Sequence, residues 1–303
     1  MAASAEKHEV LYLGIDGGGS NCRAVISGID GRVIGRGRGG PANPFFGLQK
    51  SFDSIIEATQ IALKESNLDD KTMSKMVAGI GLAGVNLPEL FAQFQQWDSP
   101  FLRMYLTTDM EIANLGAHGG EEGAVIIVGT GSCGYCNVAG KQTMLGGHGF
   151  PIGDKASGAW MGLKAIEHTL LALDGFVESD QLAEKISAFF SATSGLQLSE
   201  HLIGRTSNSY AKLASIVFDS ADAGVPKALE IIDEATAYIA SLTDKLMAGE
   251  GKRLSMIGGL SQHLLARLSK ELASQFSEAI SQPEIGALHF AIKSWKAEQR
   301  PIG

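Results

Sequence analysis

Asp16 closes the apolar run LYLGID and is followed at once by Gly17, Gly18, Gly19 and Ser20. A tight glycine turn points successive backbone N–H groups one way and can hold an anion without any cationic side chain. Thr130, Gly131 and Ser132 occupy the same place after a second apolar run, AVIIVG. One such hairpin can exist merely to turn a sheet. Two copies, each with a hydroxyl (Ser20; Thr130 and Ser132), are more economically read as holding a triphosphate between two domains. Asp109, at the end of RMYLTTD, is a second carboxylate delivered by an apolar segment.

Other phosphate-binding loops fit less well. Gly35-Gly37-Gly40 and Gly129-Gly131-Gly134 both match G-x-G-x-x-G, but the first runs into PANP and the second into the strand-like YCNVAG. A dinucleotide site needs a helix there, so that the pyrophosphate meets its amino terminus. No G-x-x-x-x-G-K-[ST] loop occurs, which excludes an ordinary P-loop nucleotidase. The CGYC pair, Cys133 and Cys136, has no second ligand pair spaced to complete a zinc site, and the histidines show no metal-ligand spacing.

The elements that must position these residues follow from composition and period. VLYLGID and CRAVISGIDGRVIG are rich in β-branched residues and split by glycine turns, which predicts a strand meander with a hairpin at Ile29–Gly31. GRGRGGPANPFFG reads as a loop from its glycine and proline content. LQKSFDSIIEATQIALKESNL has helical spacing. KMVAGIGLAGV and RMYLTTD read as buried strands. The same order then restarts: GAVIIVGTGSCGYCNVAGKQTMLGG repeats strand, small-residue turn, strand and strand, so the chain carries two copies of one supersecondary unit. Beyond Asp154 the pattern is mostly helical, closing with a strand RLSMIGGL and a helix QHLLARLSKELASQF.

The chain has 303 residues, 45 % of them hydrophobic, which is enough for two domains with real cores. Its 33 Asp and Glu against 25 Lys and Arg give a formal charge of -8, which opposes nucleic-acid binding. No apolar stretch reaches membrane-spanning length, and MAASAEKHEV lacks the features of a signal peptide. These features predict a cytoplasmic protein with no membrane or nucleic-acid partner.

LGIDGGGSNCRAVI, GIGLAGV, LTTD, IIVGTGSCGYC, GFPIGDKASGAW and SMIGGLSQH, in that order, resemble the motifs of the N-acetylglucosamine and glucosamine kinases. These belong to the actin-like ATPase superfamily with hexokinase, near the ATPase activators of benzoyl-CoA reductase. The resemblance covers nearly the whole chain. It implies an α/β fold of two ribonuclease-H-like domains with an interdomain cleft: 1–118, with the returning C-terminal helix 286–303, and a larger domain 119–285. The implied activity is ATP-dependent phosphorylation of the 6-hydroxyl of an amino sugar, N-acetylglucosamine first and glucosamine next. ATP and Mg2+ are the implied cofactors, and the resemblance leaves room for a homodimer.

The resemblance also assigns roles. Gly18, Gly19 and Ser20 would receive the nucleotide phosphates, with Thr130, Gly131 and Ser132 in the second turn, and Asp16 would hold Mg2+ through water. Asp109 would be the general base that takes the sugar hydroxyl's proton; as an Asp before MEIANLGAH it could instead cap that helix. Thr130 would lie between sugar and phosphate. Asn43, Gly147, His148 and Asp154 match sugar-contact positions, and Gly258 and Gly259 match an adenosine-binding turn. His148 and Lys155 depart from the family pattern, as does Ala83 where some members carry serine. Two other readings use the same fold: an ATPase that activates a protein partner, for which CGYC does not match, and a sugar-sensing regulator, which would normally append a DNA-binding module.

Overall fold

A computed structural model describes residues 10–248 and 253–300, leaving the N-terminal stretch MAASAEKHE outside. Contacts divide the chain into two compact units: residues up to Gly123 together with those from Ala279 on, and Ala124–Glu278. The sequence expectation set the corresponding divisions at 118 and 285.

The first unit is built on a five-stranded sheet of order β3-β2-β1-β4-β5. Its strands are β1 (Leu11–Gly17), β2 (Cys22–Ser27), β3 (Val33–Gly39), β4 (Met76–Leu82) and β5 (Arg103–Thr108). The first three form an antiparallel meander, while β4 runs parallel to β1 and β5 parallel to β4. Helices α1 (Leu48–Glu65), α2 (Pro88–Gln95) and α3 (Asp109–Ala117) follow in order, and α12 (Pro283–Glu298) returns from the far end of the chain. Leu13, Ile15, Ala24 and Ile26 pack with Ile55, Ala58 and Ala62 of α1 in one buried cluster. Tyr12, Val25 and Val77 pack with Leu288 and Ala291 of α12 in another. Alternation along each strand therefore serves two covered faces.

Glycines set how closely those helices approach. Gly14 and Gly79 are register neighbours on β1 and β4, and β-carbons there would overlap the Glu284 and Ala287 carbonyls of α12. β3 corrects the sequence expectation, which read GRGRG as part of a loop. β-Carbons on Gly35, Gly37 and Gly39 would collide with the α1 carbonyls of Ala62, Ala58 and Ser54. These glycines are a packing stripe in a strand, and the first G-x-G-x-x-G match is explained by α1 rather than by any ligand.

The second unit repeats the plan with a four-stranded sheet, β8-β7-β6-β9. Its strands are β6 (Gly123–Val128), β7 (Ser132–Val138), β8 (Lys141–Gly146) and β9 (Leu254–Ile257), with β9 parallel to β6. Its helices are α4 (Gly158–Leu173), α5 (Gln181–Phe190), α6 (Gly195–Leu202), α7 (Ser207–Ala211), α8 (Ala214–Asp222), α9 (Pro226–Met247), α10 (Ser261–Leu265) and α11 (Lys270–Ala273). The single helix expected over QHLLARLSKELASQF is broken into α10 and α11, because the Ser269 side chain accepts from Leu272 N–H and starts a new helix. Among the described residues no helix is long and apolar enough to cross a membrane.

Candidate active site

Each unit carries its own cluster of the singled-out residues at the carboxyl ends of its parallel strands. In the first unit, the turn after β1 is tied down by three backbone bonds: Gly18 N–H to Asn21 at 2.9 Å, Ala42 N–H to the Gly18 carbonyl at 2.9 Å, and Ala83 N–H to the Gly17 carbonyl at 2.9 Å. These fix the turn while the Gly19 and Ser20 N–H groups keep no acceptor among the described residues. Gly19 and Ser20 are exposed. Ala83 thus serves the turn through its backbone, whatever its side chain.

Asp16, one residue before that turn, is mostly buried. Burial pushes its carboxyl up to about 7, and the negative charges of Asp109 and Glu284 add to the rise, while Arg23 opposes it. Arg23 is its cross-strand register partner, with Nη1 3.7 Å away. A buried carboxyl with two acidic neighbours and one half-exposed counter-charge is short of positive charge. Among the described residues no group of three His, Cys, Asp or Glu side chains is arranged to cage a metal. Asp16 therefore fits a divalent ion that arrives with phosphate and keeps most of its water, rather than one held by protein alone.

Asp109 opens α3, and the structure separates two roles that the sequence could not. Thr108 caps the helix, its Oγ1 accepting from Glu111 N–H at 3.2 Å. Asp109 is the first helical residue, with Oδ1 accepting Met110 N–H at 3.0 Å. Burial raises its carboxyl above the usual range despite that bond.

Asn43 begins the short helical turn Pro44–Phe46 and accepts Phe45 N–H at 2.9 Å. A β-carbon on Gly84 would lie 2.5 Å from Asn43 Oδ1, so the loop after β4 presses on the asparagine and fixes its amide.

In the second unit, Thr130 is exposed at the tip of its turn, with Oγ1 donating to Asn208 Oδ1 at 3.1 Å. The Gly129 and Thr130 carbonyls accept from Gly158 and Ala159, which seats the turn on the start of α4. Ser132 is buried and its hydroxyl donates to the Lys155 carbonyl at 2.6 Å; the side chain ties the turn to the next loop.

That loop, 147–156, carries the remaining candidates. Asp154 Oδ1 accepts Gly149 N–H at 3.1 Å, and Oδ2 would lie 2.7 Å from a β-carbon on Gly131. The carboxylate thus lies against the second turn. Burial raises it, while the Gly149 hydrogen bond and His148 lower it. Asp154 and Ala156 both have positive φ, 59° and 71°. A buried alanine in that conformation stores strain of about 1–2 kcal/mol, and such strain collects at functional loops. His148 is exposed, and Gly147 has φ 68°.

Gly258, with φ 102°, turns the chain just past β9, where a β-carbon would overlap the Val128 carbonyl. The Gly259 N–H lies 3.9 Å from a β-carbon position on Gly129, so the two glycine turns of this unit sit side by side.

Several residues at these clusters escaped the sequence reading. Arg23 could have been found from the hairpin register. Glu284, Asn208, Glu234 and Tyr238 could not, since nothing local links them to the turns. Glu234 and Tyr238 lie one turn apart on α9, where Glu234 Oε1 holds Lys155 Nζ at 2.7 Å and Tyr238 OH lies 2.8 Å from a β-carbon position on Gly146.

Residues 13–291 match the BadF/BadG/BcrA/BcrD ATPase family. The chain belongs to this family. It is 34 % identical over 284 residues to a glucosamine kinase of Vibrio cholerae, covering 93 % of this chain and 96 % of that one. The structure of a candidate N-acetylglucosamine kinase from Chromobacterium violaceum superposes with a TM-score of 0.88 at 28 % identity, covering 94 % of this chain and 99 % of the other. A ROK family glucokinase from Streptomyces griseus, solved with glucose and AMPPNP, gives a TM-score of 0.56 at 16 % identity over 93 % of this chain and 98 % of its own, a likeness of fold.

Proposed function

We propose that the protein is an ATP-dependent amino sugar kinase that transfers the γ-phosphoryl group to the 6-hydroxyl of its substrate. The observation that carries this reading is Asp109: a partly buried carboxylate that follows β5, relieved of capping by Thr108, in a chain of an ATPase family whose relatives are named as amino sugar kinases. Its raised proton affinity suits a general base. Asp109 takes the proton of the sugar hydroxyl as that oxygen bonds to the γ-phosphorus. The bond from phosphorus to the β–γ bridging oxygen breaks, and ADP leaves with the electron pair.

The free N–H groups of Gly19 and Ser20, and the turn Thr130–Gly131, are assigned to the phosphates. Gly258 and Gly259 are assigned to the adenosine. Ser132 contributes by holding its turn, its hydroxyl being committed to the Lys155 carbonyl rather than to phosphate. Asp16 is assigned to Mg2+, which when bound offsets phosphate charge. Asn43, Gly147, His148 and Asp154 are assigned to the sugar, with Thr130 between sugar and phosphate.

The 2-substituent separates the two candidate sugars. A lysine beside Asp154 would have favoured the uncharged acetamide, but Lys155 is drawn to Glu234 on α9. Asp154 is then available to an ammonium, which brings glucosamine level with N-acetylglucosamine. A panel of glucosamine, N-acetylglucosamine, glucose and no sugar, with ATP and Mg2+ and ADP release as the readout, tests the reading. Turnover is expected with an amino sugar and not without one; equal ADP release in all four arms would overturn it.

A further inference from the structure

The first unit carries a cluster of basic residues of which only Arg23 enters the site described above, as the counter-charge of Asp16. β2 and β3 place Arg23, Arg36 and Arg38 around a wide-mouthed surface cavity of about 320 Å3, with Val25, Ile61 and Glu284 among its other lining residues. Arg23 and Arg38 are register partners in the β2–β3 ladder. Like charges directly opposite one another destabilise a sheet, and in a chain of formal charge -8 a triple cluster is out of keeping with the whole. Its counter-charges are thin. Arg23 reaches Asp16 at 3.7 Å, Arg36 reaches Glu284 at 3.6 Å, and Arg38 has no ion pair among the described residues.

Glu284 supplies the second observation. It is 6 % exposed, and its Oε2 has no hydrogen-bond partner among the described residues. An unpartnered buried carboxylate oxygen is costly to leave so and accepts strongly from any donor that reaches it. The cavity therefore combines guanidinium forks, which match phosphoryl oxygens, with one buried acceptor. Its volume is at the lower end for small-molecule pockets.

We propose that this cavity binds a phosphomonoester bearing hydroxyl or ammonium donors, its phosphoryl group on Arg36 and Arg38 and a donor on Glu284. The choice of an amino sugar phosphate as the member of that class rests on the kinase reading; the cavity itself does not. Because Arg23 is shared between the cavity and Asp16, the ligand would sit one side chain away from the proposed metal-binding carboxylate.

Isothermal titration of the full chain without nucleotide tests this, using glucosamine 6-phosphate, glucosamine and inorganic phosphate as separate probes. The sugar phosphate should bind, and the double variant Arg36→Ala/Arg38→Ala should weaken it at least tenfold while amino sugar kcat/KM stays within about twofold. Arg38→Lys, which keeps charge and loses the fork, should recover only part of the affinity. Glu284→Gln should weaken the sugar phosphate and leave inorganic phosphate unchanged. Unaltered sugar phosphate affinity in the double variant, or no binding to the wild type at millimolar concentration, would overturn the proposal. Inorganic phosphate binding as tightly as the sugar phosphate would overturn the assigned ligand class. Heat of binding is read without ATP, so loss of kinase turnover and loss of this site are separate results.

Discussion

Asp109 and Asp16 are both partly buried acids with raised proton affinity, yet they answer to different tests. Asp109→Asn keeps shape and the bond from Met110, and loses the ability to take a proton. It should fold, keep its amino sugar KM, and lose about two decades of kcat in a coupled ADP assay; a near-normal rate would remove Asp109 from the base role. For Asp16 the readout is stability. Between its unfolded value near 4 and the folded value of about 7, the folded state binds more protons, so stability falls as pH rises through that window. At pH 8 the cost is on the order of 4 kcal/mol at most. Asp16→Asn should therefore raise the nucleotide-free Tm at pH 8 relative to wild type, with the gain shrinking toward pH 5. The identities of these acids were legible in the sequence. Their environments were not, because Glu284 arrives from the far end of the chain.

At the scale of elements, two misreadings have different causes. The β3 glycines looked like a loop because composition was read without the partner helix, and the stretch over α10 and α11 looked continuous because Ser269 was not recognised as a cap. In the first a tertiary contact outweighs local propensity, and in the second a local cap interrupts a helical pattern. Gly37→Ala is accordingly a demanding test of β3: propensity alone predicts a gain, whereas overlap with the Ala58 carbonyl predicts a loss of about 2 kcal/mol or more in chemical denaturation. α9 illustrates what sequence withheld. Its Glu234 holds Lys155 next to Asp154, so Glu234→Gln should loosen the strained loop and raise amino sugar KM about three- to tenfold, with kcat less affected. A fall in kcat at constant KM would instead tie α9 to the chemical step.

The whole molecule was the most legible level. Recurrence of an apolar run, a small-residue turn and a meander predicted two copies of one plan, and both sheets have it: three meander strands, with the next strand parallel to the first of them. Repetition survives in sequence because each copy must rebuild the same turn at the same strand end. The two small-residue turns were legible for the same reason, while the neighbouring residues on α7, α9 and α12 differ between the units and leave no repeat to read. If both copies serve one phosphoryl transfer, ATP consumption must be bound to sugar consumption. Incubating the protein with ATP, Mg2+ and glucosamine or N-acetylglucosamine, and quantifying ADP and sugar phosphate by 31P NMR, measures that coupling. We predict one amino sugar 6-phosphate for each ADP and negligible ADP without sugar; ADP formed at the same rate with no sugar phosphate appearing would contradict it.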